Sequence, residues 1–297
     1  MIEEPGPPVQ ARVLLLASTD PATPEQLRHW PGSAVISVDT PTLMQETVRA
    51  RRRAHTTPRL HDPARRLPRS CRRFTADPLN LLGRGEEQPW AEAWKLALWM
   101  ANGLPGWGPA REERVSRCAH LVAPLLLVAH ETGGTLETMR DWLSEMRDEH
   151  RAHGAHHLLE RNLETHFTAT LSLLATAGDA PSQAAAAAAF VLRCPEAEPD
   201  FVLHDARAVL APFAATDGDL LGGRRDHEAP ITFYVAPSAT LPWGSDSLLL
   251  LLSEQLIEES HQPGAPPVAL ALKPYLISRL SMGLGTKPPY LACSGWS

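Results

Sequence analysis

The sequence predicts an α/β fold, a parallel sheet built by strand–helix alternation and interrupted by an all-helical segment. Three observations predict it. Short apolar runs alternate with helical stretches over residues 1–87. From about residue 88 to 227, apolar side chains recur at helical spacing and no strand-like run stands out. Strand-like runs then return, led by Ile231–Ala236, whose β-branched and aromatic side chains suit a pleated sheet surface. The expected organisation is a discontinuous α/β core, residues 1–87 and 228–297, around an all-α insertion, residues 88–227.

The elements follow in order. Val13–Ala17 is an apolar run bounded by turn residues and reads as a buried strand. Pro24–Trp30 reads as a short helix with Thr23 as its N-cap and Pro24 at the first helical position. Ala34–Val38 is the second strand, after the Pro31-Gly32 turn, and Thr40-Pro41 opens a helix running to Arg53. A third strand is expected at Arg73–Ala76, leading into Asp77-Pro78.

The helical stretch begins at Trp90, Trp94, Leu98 and Met100. A longer helix carries Val115, Cys118, Val122 and Leu126 on one face and stops at Gly133-Gly134, a natural C-cap. Further helices are expected from Thr135 through Trp142, at Leu158–Ala175 and at Ser182–Leu192. After Ile231–Ala236 come an amphipathic helix, Ser245–Ser260, a buried strand, Val268–Leu272, and a last strand, Tyr290–Cys293.

Composition narrows the function classes. The chain has 297 residues, 43% hydrophobic, enough to bury a sizeable core. Its four cysteines are scattered without a CxxC pair, which argues against a disulfide framework or zinc knuckle and suits a reducing, cytoplasmic compartment. No apolar run approaches a membrane helix, and the acidic, proline-rich start is unlike a signal peptide. The net charge of -6 conceals a basic segment, Arg49 to Arg73, with ten arginines and one acid, Asp62. That segment has two readings: a nucleic-acid or phosphate contact through Arg49, Arg51, Arg52, Arg53, Arg65 and Arg66, or a solvated connection facing acidic surface elsewhere.

The segment order resembles the type IV secretion coupling proteins, the TraG/TraD-like DNA-transfer ATPases of conjugation. The resemblance is carried by AVISVDTPTLMQETVRARR, FTADPLNLLG, CAHLVAPLLLVAHETGGTLETMRDWLSE and ITFYVAPSATLPWGSDSLLLLLSEQLIEES, and covers most of the chain. It implies a RecA-like sheet of the P-loop NTPase type with an inserted all-helical domain. It also implies partners within a DNA-transfer or secretion complex, including an active ATPase paralogue, with DNA as a further candidate.

The chain departs from that family where nucleotide chemistry is done. A phosphate loop, GxxxxGK[ST], lets backbone amides converge on phosphates and a lysine reach the terminal ones. Here Ser18-Thr19-Asp20-Pro21-Ala22-Thr23-Pro24 follows the first strand, without glycine or lysine. Both prolines lack an amide donor and Asp20 adds negative charge. The resemblance places the Mg²⁺-holding acids after Val268–Leu272, where Lys273-Pro274 stands instead. Ser18, Thr19, Asp20, Thr23 and Lys273 therefore read as a degenerate nucleotide site, and no catalytic residue, cofactor or metal is assigned. The family's membrane helices and C-terminal continuation have no counterpart, so no membrane insertion by this chain is expected.

Other constellations read as structure. His150, His153 and His157, with His156 beside them, have near-helical spacing, but Gly154 weakens the helix and a solvated turn is the favoured reading. His130-Glu131 lacks the second histidine of an HExxH helix. Gly283–Lys287 runs into Pro288-Pro289 and reads as a turn. Trp90, Trp94, Trp99 and Trp107 read as core or interface in preference to base-stacking platforms. The expected function is a catalytically inactive, coupling-protein-like scaffold. The alternatives are a nucleic-acid-binding module using Arg49–Arg73, and an NTPase or other hydrolase with a non-standard site.

Overall fold

The computed structural model describes residues 13–39, 41–53, 56–65, 67, 71–83, 89–153, 199–214, 230–237, 243–262, 264–283 and 291–293. It is an α/β structure with one seven-stranded sheet in which every neighbouring pair is parallel. The chain divides into two compact units: residues 1–74, 224–237 and 252–297, and residues 75–223 and 238–251.

The first unit holds the sheet. Its elements are β1 (Val13–Ala17), α1 (Thr23–His29), β2 (Ser33–Ser37), α2 (Pro41–Arg53), β3 (Thr57–His61), β4 (Arg72–Arg73), β5 (Ile231–Val235), β6 (Val268–Leu272), α8 (Pro274–Gly283) and β7 (Leu291–Cys293). The strand order is β4-β3-β5-β2-β6-β1-β7. β2 and β6 are buried at every position, as continuous apolar or small-residue strands inside a parallel sheet should be. Leu16, Ile36, Leu60 and Tyr234 join Leu27 of α1 and Leu43, Met44 and Val48 of α2 in one core. The Tyr234 hydroxyl reaches Thr47 Oγ1 at 2.9 Å, and Thr47 in turn donates to the Leu43 carbonyl at 2.7 Å. The buried phenol is thereby satisfied in an otherwise apolar layer.

Arg51 corrects one expectation. It is fully buried, not a surface contact. Its Nε donates to Thr232 Oγ1 at 3.0 Å, and its terminal nitrogens donate to the Trp30 and Gly32 carbonyls. The last turn of α2 is thus pinned to β5 and to the loop before β2. A guanidinium spreads its donors over three nitrogens in a rigid planar fork, so each nitrogen here reaches its own acceptor. Burial pulls its pKa down to about 10.

The third strand also differs from expectation. It is Thr57–His61, and of the expected Arg73–Ala76 only Arg73 is in a strand, the two-residue edge strand Arg72–Arg73. Pro58 and the surrounding arginines hide the strand in the sequence. The proline is tolerated because β4 pairs with β3 only at Arg59 and Leu60, so Pro58 has a ladder neighbour on the β5 side alone. Thr23 is another correction. Ala22 occupies the N-cap position of α1 and Thr23 lies inside the first turn.

The second unit is helical in its described part. It contains α3 (Pro89–Ala101), α4 (Gly108–Thr132), α5 (Leu136–His153) and α6 (Pro199–Leu210). α4 is apolar along its C-terminal half, with Leu121 to Ala129 buried, and ends at Gly133 in the left-handed region, φ 67°. Arg114 of α4 holds Asp205 of α6 through two bonds, Nε to Oδ2 at 3.0 Å and a terminal nitrogen to Oδ1 at 2.7 Å. Arg140 of α5 donates to the Leu210 and Phe213 carbonyls at 3.2 and 2.5 Å, satisfying the C-terminal end of α6. Neither α6 nor α8 was expected from the sequence. The expected helices at residues 158–175 and 182–192 lie outside the described residues, as does the turn expected at Gly283–Lys287 beyond Gly283 itself.

Helix α7 (Asp246–Ser260) begins in the second unit and ends in the first. Within the second unit its first turn packs closely on Gly103, where an added Cβ would lie 2.4 Å from the Ser247 amide nitrogen. No described helix is long and apolar enough to cross a membrane.

Candidate functional site

A parallel sheet brings the carboxyl ends of all its strands to one edge, where ligand sites of α/β proteins are usually built. In this sheet that edge carries Ser18 after β1, Val38-Asp39 after β2, Asp62 after β3, Ala236-Pro237 after β5 and Lys273-Pro274 after β6. The ladder continues one residue past several strands: Ser18 N–H donates to the Leu272 carbonyl at 2.7 Å, Val38 N–H to Val235 at 2.9 Å, and Ala236 N–H to His61 at 2.9 Å.

The β1–α1 turn uses up its own donors. The Asp20 amide bonds the Ala17 carbonyl at 3.0 Å, and the Thr23 amide bonds the Asp20 carbonyl at 3.0 Å. The Ala22 amide bonds Asp20 Oδ1 at 2.8 Å. Thr23 Oγ1 closes the turn from inside by donating to the Ala17 carbonyl at 2.7 Å. Ser18 is tied to β6, Pro21 has no amide hydrogen, and only the Thr19 amide is left without a described acceptor. A phosphate cradle needs several converging free amides, and this turn offers one. The Asp20 carboxylate, itself exposed, adds a negative charge to this turn. α1 spans only seven residues and so adds little dipole.

Lys273 follows β6 directly and reaches towards the end of β2. Its Nζ is 3.7 Å from Asp39 Oδ1 and 5.7 Å from the centroid of the Tyr275 ring. Pro274 opens α8, and the Lys273 carbonyl accepts from the Leu276 and Ile277 amides. The cation is therefore engaged by a carboxylate and an aromatic face, and the acids of this edge, Asp20, Asp39 and Asp62, stand after β1, β2 and β3 and not directly after β6.

The arginines separate into different environments. Arg49, Arg52, Arg53, Arg65 and Arg72 are exposed, Arg59 and Arg73 are half-buried, and Arg51 belongs to the core. Arg65 adopts φ 53°, in the left-handed region. Arg66 lies outside the described residues. Asp62, the one acid of the segment, is buried and accepts from the Leu67 amide at 2.9 Å and from Arg73 at 3.4 Å.

His61 had no place in the sequence reading. It is 4% exposed at the carboxyl end of β3, with its ring 5.9 Å from that of Phe74. One ring nitrogen bonds the Phe74 backbone while buried Nε2 has no partner among the described residues. Burial pushes its pKa down to about 4, so the neutral imidazole is the ordinary state. A second perturbed group, Glu254 of α7, is pushed up to about 7 by burial and by Glu258 one turn away. No distance places His61 and Glu254 in one site.

The tryptophans form a half-buried aromatic face on α3. Trp90 and Trp94 have ring centroids 6.0 Å apart, His120 meets Trp94 edge-on at 4.6 Å, and Lys95 Nζ stands 5.3 Å from the Trp99 ring. Trp107 departs from the expected core role and is 67% exposed. His150 and His153 lie in the last turn of α5, while His156 and His157 are outside the described residues. Among the described residues no three His, Cys, Asp or Glu side chains are grouped to hold a metal ion. No family model, curated protein or solved structure matches the chain.

Proposed function

We propose that this chain is a catalytically inactive, coupling-protein-like component of a conjugative DNA-transfer or type IV secretion apparatus. It acts as a scaffold or partner-binding subunit, with a RecA-like core and an inserted helical domain. The observation that carries this reading is the β1–α1 turn, whose amides, Thr19 apart, are spent on the chain itself and whose Asp20 carboxylate adds negative charge where the resemblance would put a phosphate. An α/β sheet of parallel strands with this turn keeps a nucleotide-fold plan while giving up phosphate recognition. The Lys273–Asp39 pair supports the same reading, because a divalent cation would meet an ammonium group at that edge.

A subunit of this kind fills a position beside an active paralogue instead of hydrolysing ATP itself. Affinity purification from the native host tests the reading. An ATPase or secretion component is expected to co-purify in stoichiometric amount, and its repeated absence under mild salt contradicts the proposal.

A further inference from the structure

The outer edge of the sheet places two arginines side by side. β4 is the terminal strand, and its parallel pairing with β3 sets Arg72 directly opposite Arg59. Residues opposite each other in neighbouring strands share a face and stand about 5 Å apart at the backbone. Like charges in that relation repel, and the sheet has accepted the repulsion. Arg72 lies exposed beside half-buried Arg59, and Arg59 Nε is buried without an acceptor among the described residues.

The nearby acid does not resolve this. Asp62 is committed to the Leu67 amide and to Arg73, the next residue along β4. β5, on the other flank of β3, is Ile-Thr-Phe-Tyr-Val and contributes no carboxylate. Burial and the neighbouring Arg72 charge both disfavour the Arg59 cation. A buried guanidinium donor without an acceptor, beside a like charge, is an unfavourable arrangement in the free protein, and an anion bound between the two guanidinium groups removes the repulsion.

We propose that Arg59 and Arg72 form a binding site for a phosphate group on the β3–β4 edge of the sheet. The stoichiometry of donors and acceptors favours phosphate over carboxylate. One carboxylate has two oxygens and is matched by a single guanidinium fork, whereas a phosphate presents three or more and can bridge two forks. This site does not depend on the scaffold reading above; both residues lie in the basic Arg49–Arg73 segment but outside the six arginines named there as candidate contacts. The phosphate can be free or part of a nucleic-acid backbone, and the test separates the two.

The full chain is titrated with inorganic phosphate and pyrophosphate by calorimetry, and with a fluorescent single-stranded oligonucleotide over a range of salt. Saturable binding is expected, weakened at least tenfold in Arg59→Met and in Arg72→Gln and unchanged within twofold in Arg53→Gln. An oligonucleotide bound tenfold or more tighter than inorganic phosphate identifies the source as a backbone. Comparable affinities identify a free phosphate or phosphometabolite. Thermal unfolding gives a second readout: phosphate raises the melting temperature of the wild type and not that of Arg59→Met. Should Arg59→Met fail to fold, Arg72→Gln, at an exposed position, carries the test alone. Absence of binding to every probe overturns the site, as does equal weakening by Arg53→Gln and Arg72→Gln, which would mean diffuse charge and not a built pair.

Discussion

The Asp20 carboxylate accepts a hydrogen bond from the Ala22 amide at 2.8 Å, two residues ahead in its own turn. The side chain thus closes an Asx turn at the carboxyl end of β1. Asp20→Ala is expected to cost about 1 kcal/mol of stability, the usual scale for losing such a capping bond. It is not expected to create nucleotide affinity, because Pro21 still lacks an amide hydrogen and Thr23 still engages Ala17. Urea denaturation measures the first effect and ATP titration of the variant the second.

Arg51 and Arg53, two residues apart in α2, are expected to behave oppositely. Arg51→Ala leaves the Trp30 and Gly32 carbonyls without their donor in the buried interior and is expected to lose roughly 3 kcal/mol or more. Arg53→Ala is exposed and is expected to fall within about 0.5 kcal/mol of wild type. Equal effects in chemical denaturation would contradict the core role of Arg51.

Gly32 is held by proximity. An added Cβ would sit 1.8 Å from the Pro267 carbonyl oxygen, a backbone atom that also accepts the Ser33 amide at 2.9 Å. Gly32→Ala must push the β6 entry away from β2 and is expected to cost roughly 3 kcal/mol. A midpoint unchanged from wild type would show that the two strands can separate there freely.

Two buried groups give opposing pH dependences. His61 has its pKa lowered from 6.5 to about 4, so its contribution is intact above pH 6.5 and is lost as pH falls from 6.5 towards 4. Glu254 is raised from 4.5 to about 7, so its contribution is intact below pH 4.5 and is lost as pH rises from 4.5 towards 7. Each is worth on the order of 3 kcal/mol, and over the shared interval they nearly cancel. In Glu254→Gln the His61 effect is left alone, and stability is expected to climb from pH 4.5 to 6.5. In His61→Phe the Glu254 effect is left alone, and stability is expected to fall over the same interval. Parallel pH profiles for both variants and wild type would exclude this assignment.

Much of the fold was legible because local patterns and global burial agreed. Val13–Ala17, Ile231–Val235 and Val268–Leu272 are apolar enough to be read directly, and Gly133 marks the end of α4 by its left-handed conformation. β3 was hidden because Pro58, Arg59 and His61 each argue locally against a strand, and only pairing with β5 makes one. Arg51 was misplaced for a related reason. Its sequence neighbours Arg52 and Arg53 face solvent, and nothing in a run of arginines says that one of them turns inward to Thr232. The Arg59–Arg72 relation and the orphan nitrogen of His61 depend on strand register, which becomes visible only once the sheet is assembled.

The central claim of the proposed function is that the β1–α1 turn, where a phosphate loop would stand, is closed by the chain itself. Calorimetric titration of the full chain with ATP and Mg²⁺, at protein concentrations sensitive to affinities of about 100 μM, tests it most directly. The account predicts no saturable heat at the β1–α1 turn: once Arg72→Gln removes the phosphate site proposed on the β3–β4 edge, the response to ATP is flat, and it stays flat when Asp20→Ala is added. Saturable binding weakened by substitutions at Thr19 or Thr23 would contradict it, and would mean that the turn opens to receive phosphate.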